Sequence, residues 1–136
     1  MPTNIIDVRL SVNIVQQSVL ASLDFINKSK EIIYINKING CLNGVINNDV
    51  FSLETEDGPI EYTGVLAKRS RPGLEDVVAL EPGENISTVV DLNKAYAFLP
   101  NTNIYKLYYS AFHQFPDRPG FISLKSNVIS FTYTGE

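Results

Sequence analysis

The chain opens with two runs in which apolar and polar side chains alternate with a period of two. Ile6, Val8, Leu10, Val12 and Ile14 fall on one side, and Asp7, Arg9, Ser11 and Asn13 on the other. Successive side chains of a strand point to opposite faces of the pleat, so a strand half buried against a core needs this pattern. A helix would smear the same residues around its circumference. The pattern repeats after Gln16-Gln17-Ser18, with Val19, Ala21, Leu23 and Phe25 inward. Asn27-Lys28-Ser29-Lys30 reads as a turn, and Ile32-Ile33-Tyr34-Ile35 as a β-branched third strand.

The same logic carries through the rest of the chain. Asn39 to Asp49 is dense in Asn and Gly and predicts a long loop. Phe51-Ser52-Leu53-Glu54 resumes strand character, and Asp57-Gly58 predicts a tight hairpin whose central residues take positive φ, returning through Ile60-Glu61-Tyr62-Thr63. Val77–Leu80 and Ile86–Val90 read as a strand pair joined across Glu81-Pro82-Gly83-Glu84. In that turn proline presets φ for the second residue and glycine takes the third. Asp91 caps the one helical turn predicted, and Ile104–Phe112 and Val128–Tyr133 are the last two clear strands. Strand signals with short turn-rich spacers, and no sustained i, i+3, i+4 pattern, predict an all-β sandwich or barrel.

At 136 residues, 44% of them hydrophobic and 19% charged, the chain is long enough to bury one core and fits a single domain over 1–136. The net charge of −4 is spread along the chain, and nucleic-acid binding is not expected without a basic surplus. With Cys41 as the single cysteine there is no intramolecular disulfide, which suits a reducing compartment. Met1 to Asp7 lacks a basic region followed by an apolar run, and no stretch approaches the roughly 20 apolar residues of a membrane span. A soluble, cytoplasmic product without membrane association is therefore expected from the chain as it stands, or a secreted one if a leader is removed.

No constellation of catalytic residues emerges. Zinc hydrolysis needs closely spaced ligands and a general base, and the chain offers one histidine, His113, and no His-Glu-x-x-His. Cys41 and His113 form the only conceivable thiol–imidazole pair, and nothing around Asn39-Gly40-Cys41 marks an activated thiol. No Gly-x-Ser-x-Gly elbow and no phosphate loop occurs. The expectation is a protein that is not an enzyme and that holds no metal or cofactor. Among Tyr105, Tyr108, Tyr109, Phe112 and Phe115, alternation puts Tyr105, Leu107 and Tyr109 on one face and Tyr108 on the other. One set packs the core, leaving the other free for recognition. Lys68-Arg69-Ser70-Arg71 is the densest charge cluster, followed by Pro72-Gly73 and then Glu75-Asp76. It reads either as a solvated loop or as an exposed basic tip that enters an acidic cleft of a partner. Asp117-Arg118-Pro119-Gly120 forms a second such loop.

Taken together, Asp49–Leu53, Asp57–Arg69, Glu75-Asp76, Leu80–Glu84, Val89–Leu92, Ala95-Tyr96, Tyr105–Tyr109 and Ser126–Phe131 resemble the non-catalytic domain that precedes the protease domain of bacterial and fungal peptidyl-Lys metalloendopeptidases, zinc proteases of the deuterolysin type. The likeness keeps its order over most of residues 6 to 133. It implies an immunoglobulin-like antiparallel β-sandwich used as a pro-segment or accessory domain. It also implies a structural role for Tyr105, like the corner tyrosine of such sandwiches, whose hydroxyl bonds back to nearby backbone. The zinc domain with its His-Glu-x-x-His is not among these residues, so protease activity is not carried over.

Two functions are expected from different classes. The first is a non-catalytic binding domain, an inhibitor or folding partner of a zinc endopeptidase, with Lys68, Arg69, Arg71, Glu75 and Asp76 in the contact loop. The second is a structural or adhesion-type module that binds a protein, a sugar or itself, the last as a homodimer through an edge strand.

Overall fold

The computed structural model describes residues 6–66 and 73–135. Ten strands occur among them: β1 (Ile6–Val15), β2 (Ser18–Asn27), β3 (Ile33–Asn36), β4 (Phe51–Thr55), β5 (Gly58–Pro59), β6 (Val77–Leu80), β7 (Asn85–Asp91), β8 (Asn101–Gln114), β9 (Phe121–Lys125) and β10 (Ile129–Gly135). Two short 3-10 turns, Leu74–Asp76 and Leu92–Lys94, are the helical elements among the described residues. The second is capped as expected, the Asp91 carboxylate accepting from the Asn93 N–H at 3.0 Å.

The fold is an all-β sandwich of antiparallel sheets. One sheet has the order β1-β2-β7, and the other has the order β10-β8-β4-β5, with β9 also on β8. A small pair, β3-β6, completes the set. The inward residues predicted for β2, namely Val19, Ala21, Leu23 and Phe25, are all fully buried, as are Tyr105, Leu107 and Tyr109 on β8. The two sheets meet where the Phe25 ring stands edge-on to Tyr109 at 5.6 Å. Burying such side chains contributes about 1.5–3 kcal/mol each, which makes this interface the main source of stability. On β1 the alternation holds as far as Val12, half-buried against the core, and Ile14 and Val15 at its far end are exposed.

Three local expectations need correction. The hairpin after β4 turns at Glu56-Asp57, one residue earlier than predicted, because Thr55 pairs with Gly58. The Thr55 hydroxyl accepts from the Asp57 N–H, a local turn that leaves Gly58 just beyond with φ +130. Val77–Leu80 and the strand after it are not a pair: β6 joins β3, whereas β7 joins β2. The Pro82-Gly83 turn between them is nonetheless as expected, with Gly83 at φ +84 and the Glu84 N–H bonded to the Glu81 carbonyl. Finally, β9 is an additional strand.

β9 and β10 lie along one side of β8 as a single broken strand. Ser110 pairs with Lys125 and Leu107 with Ile129, so two residues of β8 (108 and 109) face three of the partner (126–128). This is a β-bulge, and it turns Asn127 out of the ladder. The Asn127 side chain then behaves as a peptide group, accepting from the Leu10 N–H at 2.8 Å and donating to the Leu10 carbonyl at 3.1 Å. Ser126 forms a parallel bridge to Val8 beside it. The bulge thereby pins β1, in one sheet, to the edge of the other.

Candidate functional site

The predicted contact loop is held at both ends by backbone hydrogen bonds. On the entering side, Tyr62 bridges Tyr96, the Thr63 N–H donates to the Ala95 carbonyl at 2.8 Å, and the Tyr62 hydroxyl bonds the Val65 carbonyl. On the leaving side, the Lys37 N–H donates to the Asp76 carbonyl at 2.9 Å and Lys37 Nζ to the Glu75 carbonyl at 2.8 Å. The Asp76 carboxylate closes its own turn by accepting from the Gly73 N–H at 2.9 Å. Glu75 and Asp76 are both exposed and adjacent. Lys68, Arg69 and Arg71 lie outside the described residues. Three large apolar side chains bracket the loop in the open: Val65 at 62%, Leu66 at 73% and Leu74 at 67% exposure. Charge content drew attention to this segment, and it gave no hint of that apolar rim.

Tyr105 stands elsewhere, in the core between β8 and β10. Its ring stacks on Phe131, and its hydroxyl accepts from the Leu99 N–H at 3.1 Å, six residues upstream. Burial pushes its pKa up, so the hydroxyl stays neutral at ordinary pH.

Cys41 and His113 come into one buried neighbourhood built around Tyr109. His113 lies at the end of β8, one residue before its last, Gln114. It is the last inward residue of β8, fully buried, with its ring against Phe25. Its Nδ1 accepts from the Asn36 N–H at 2.9 Å, which places the neutral ring's proton on Nε2, 2.8 Å from the Tyr109 hydroxyl. That hydroxyl donates onward to the Asn39 carbonyl at 2.6 Å. Burial lowers the His113 pKa to about 3 and raises that of the Cys41 thiol to about 12. A neutral imidazole and a protonated thiol are the forms present at neutral pH, the opposite of an activated thiolate–imidazolium pair. Desolvation therefore holds both groups in their uncharged, structural forms.

The exposed aromatic residues collect on the outer face of β8 and β9. Phe112 and Phe121, 58% and 55% exposed, meet edge to face at 4.8 Å. Lys125 lies over the Tyr108 ring at 4.5 Å, and in the β8–β9 connection Arg118 lies over Phe115 at 4.3 Å. Among the described residues, no group of three or more His, Cys, Asp and Glu is placed to hold a metal ion, and no helix is long and apolar enough to cross a membrane. No protein-family model matches the chain, and no curated protein matches it.

Proposed function

We propose that this domain is a non-catalytic binding module whose partner is a zinc endopeptidase of the deuterolysin type, engaged through the loop from Leu66 to Asp76. The observation that carries the reading is the exposed apolar trio Val65, Leu66 and Leu74 bracketing a loop whose ends are fixed by the Thr63–Ala95 and Lys37–Asp76 bonds. An apolar patch ringed by charge is the usual make-up of a protein contact. Fixed ends also lower the ordering cost of binding. Lys68, Arg69 and Arg71 supply the cations for an acidic cleft. The immunoglobulin-like reading of the sandwich is supported by its strand order and by the parallel contact between the first strand and the bulge before the last. The resemblance between the sequence and the domain preceding such proteases supplies the partner class, and no catalytic group is assigned to this chain.

The test is a titration against a deuterolysin-type zinc endopeptidase, following binding and peptide cleavage together. Saturable inhibition that weakens in a Lys68→Ala/Arg69→Ala/Arg71→Ala variant is expected. Absence of binding to several such proteases would reject the partner class. A second reading, an adhesion-type module for a protein or a sugar, draws on the exposed Phe112–Phe121 pair. Binding lost in Phe112→Ala rather than in the loop variant would favour it.

A further inference from the structure

Each exposed edge of a β-sheet presents unpaired N–H and C=O groups, and native domains usually blunt such edges. Most edges of this sandwich are blunted in a recognisable way. β1 carries Asp7 and Arg9 and is plugged at Leu10 by the Asn127 side chain. The Cys41–Ile46 segment lies against β7, with the Thr88 hydroxyl donating to the Cys41 carbonyl at 2.7 Å. β5 is two residues long and contains Pro59, β3 and β6 have four residues each, and β9 ends on Lys125.

β10 has none of these devices. Its sequence, Ile129-Ser130-Phe131-Thr132-Tyr133-Thr134-Gly135, holds no charge and no proline. It pairs with β8 on one side over all seven residues, and its other side has no strand partner among the described residues. Ser130, Thr132 and Thr134 point outward and are exposed. Ile129 and Phe131 point inward and are half-buried, packed against the core, while β1 approaches the start of the strand. High β-propensity, neutrality and a missing strand partner are the features that favour strand addition.

We infer that β10 is a self-association edge, pairing antiparallel with β10 of a second copy so that the two larger sheets become one continuous sheet. A second copy fits because a neutral strand pairs with itself without placing like charges opposite each other. A two-fold pairing with full overlap sets Thr132 opposite its own counterpart and covers Phe131 from both sides. The distal half of β1, Ser11–Val15, is also uncharged and open on this flank, but its inward residues lose burial toward the tip, with Ile14 39% exposed. A strand added there would extend a frayed hairpin, whereas one added to β10 extends the larger sheet. A seven-residue strand pair is smaller than the roughly 800 Å² per partner of a standard interface, so the dimer forms in proportion to concentration. This inference is independent of the protease-partner reading.

Sedimentation equilibrium over a concentration series tests it. The expected result is a mass rising toward twice 15.2 kDa. A Ser130→Lys/Thr132→Lys variant is expected to remain monomeric with unchanged far-UV circular dichroism, and a Ser11→Lys/Asn13→Lys control to dimerise as before. Thr132→Cys is expected to give a covalent dimer with a short bismaleimide, whereas the unsubstituted protein, whose Cys41 is buried, gives none. A protein monomeric up to its solubility limit overturns the inference. So does a dimer that survives the β10 lysines but is abolished by the β1 lysines, or a Thr132→Cys variant that is not bridged.

Discussion

Two irregular segments, one rich in Asn and Gly and the other in charge, differ in where their apolar side chains end up. The segment from Asn39 to Asp49 belongs to the core: Cys41 is fully buried, Ile46 nearly so, and the Asn39 carbonyl receives the Tyr109 hydroxyl. Where the segment from Val65 to Asp76 is entered and left, Val65, Leu66 and Leu74 stand in solvent. Both hold apolar side chains, so hydrophobicity alone does not sort them. What separates them is a set of inward polar anchors. The first segment bonds to β3 and β8 through Asn36, Asn39 and Gly40, whereas Val65, Leu66 and Leu74 stand in solvent between the Thr63–Ala95 and Lys37–Asp76 bonds. A loop with its backbone groups satisfied from inside is part of the fold, and apolar side chains left in solvent beside a loop are free to meet a partner.

The comparison can be broken most directly at His113. His113→Ala leaves a cavity and strips the Asn36 N–H of its acceptor, and is expected to cost about 3 kcal/mol or more by urea unfolding. The same histidine makes the fold acid-sensitive. Because its folded pKa, about 3, lies below the ordinary 6.5, its contribution is fully present above pH 6.5 and is lost as pH falls toward 3. Protonating Nδ1 would also break the bond from Asn36. The melting temperature should fall through this window, and a flat profile would count against the neutral buried ring.

A smaller effect is expected at Gly40. A Cβ there would lie 2.9 Å from the Asn36 carbonyl oxygen and 3.0 Å from Ile35 Cγ2, so Gly40→Ala should destabilise by roughly 1–3 kcal/mol. Outside both segments, Tyr105→Phe removes the acceptor of the Leu99 N–H and should cost about 1 kcal/mol, read from the shift in denaturation midpoint. The displayed segment supplies the smallest effect. Leu66→Ala and Leu74→Ala are each expected to leave stability within about 0.5 kcal/mol while weakening protease binding. A large stability loss in either would mean that the loop is packed after all.

Much of the fold is legible in the residue pattern. Period two placed the inward face of β2 and separated the two faces of β8, Pro82-Gly83 located its turn, and Asp91 marked the capped turn that follows β7. Less of the candidate site was legible. Clustered charge pointed to residues 68–76, but the apolar rim at Val65, Leu66 and Leu74 is visible only as exposure. That His113 lies at a strand end did not by itself show that it faces the core. Alternation along β8 in fact continues through 111 to 113 and carries it inward. β9 was obscured by the Pro-Gly turn before it and by its short run, although Ile122 and Leu124 do alternate.

The sequence by itself determined that the chain is built of strands, which face of most strands is buried, and where several tight turns fall. Those properties depend on nearest neighbours: side-chain alternation, proline's fixed φ and glycine's freedom are all local. Only the tertiary structure decided that β6 joins β3 while β7 joins β2. The same holds for the bulge that lets Asn127 bind Leu10, 117 positions away, and for the burial of Cys41 in a loop. Strand partners are chosen by which distant ladders and faces can be satisfied together, and no period within one strand records that choice.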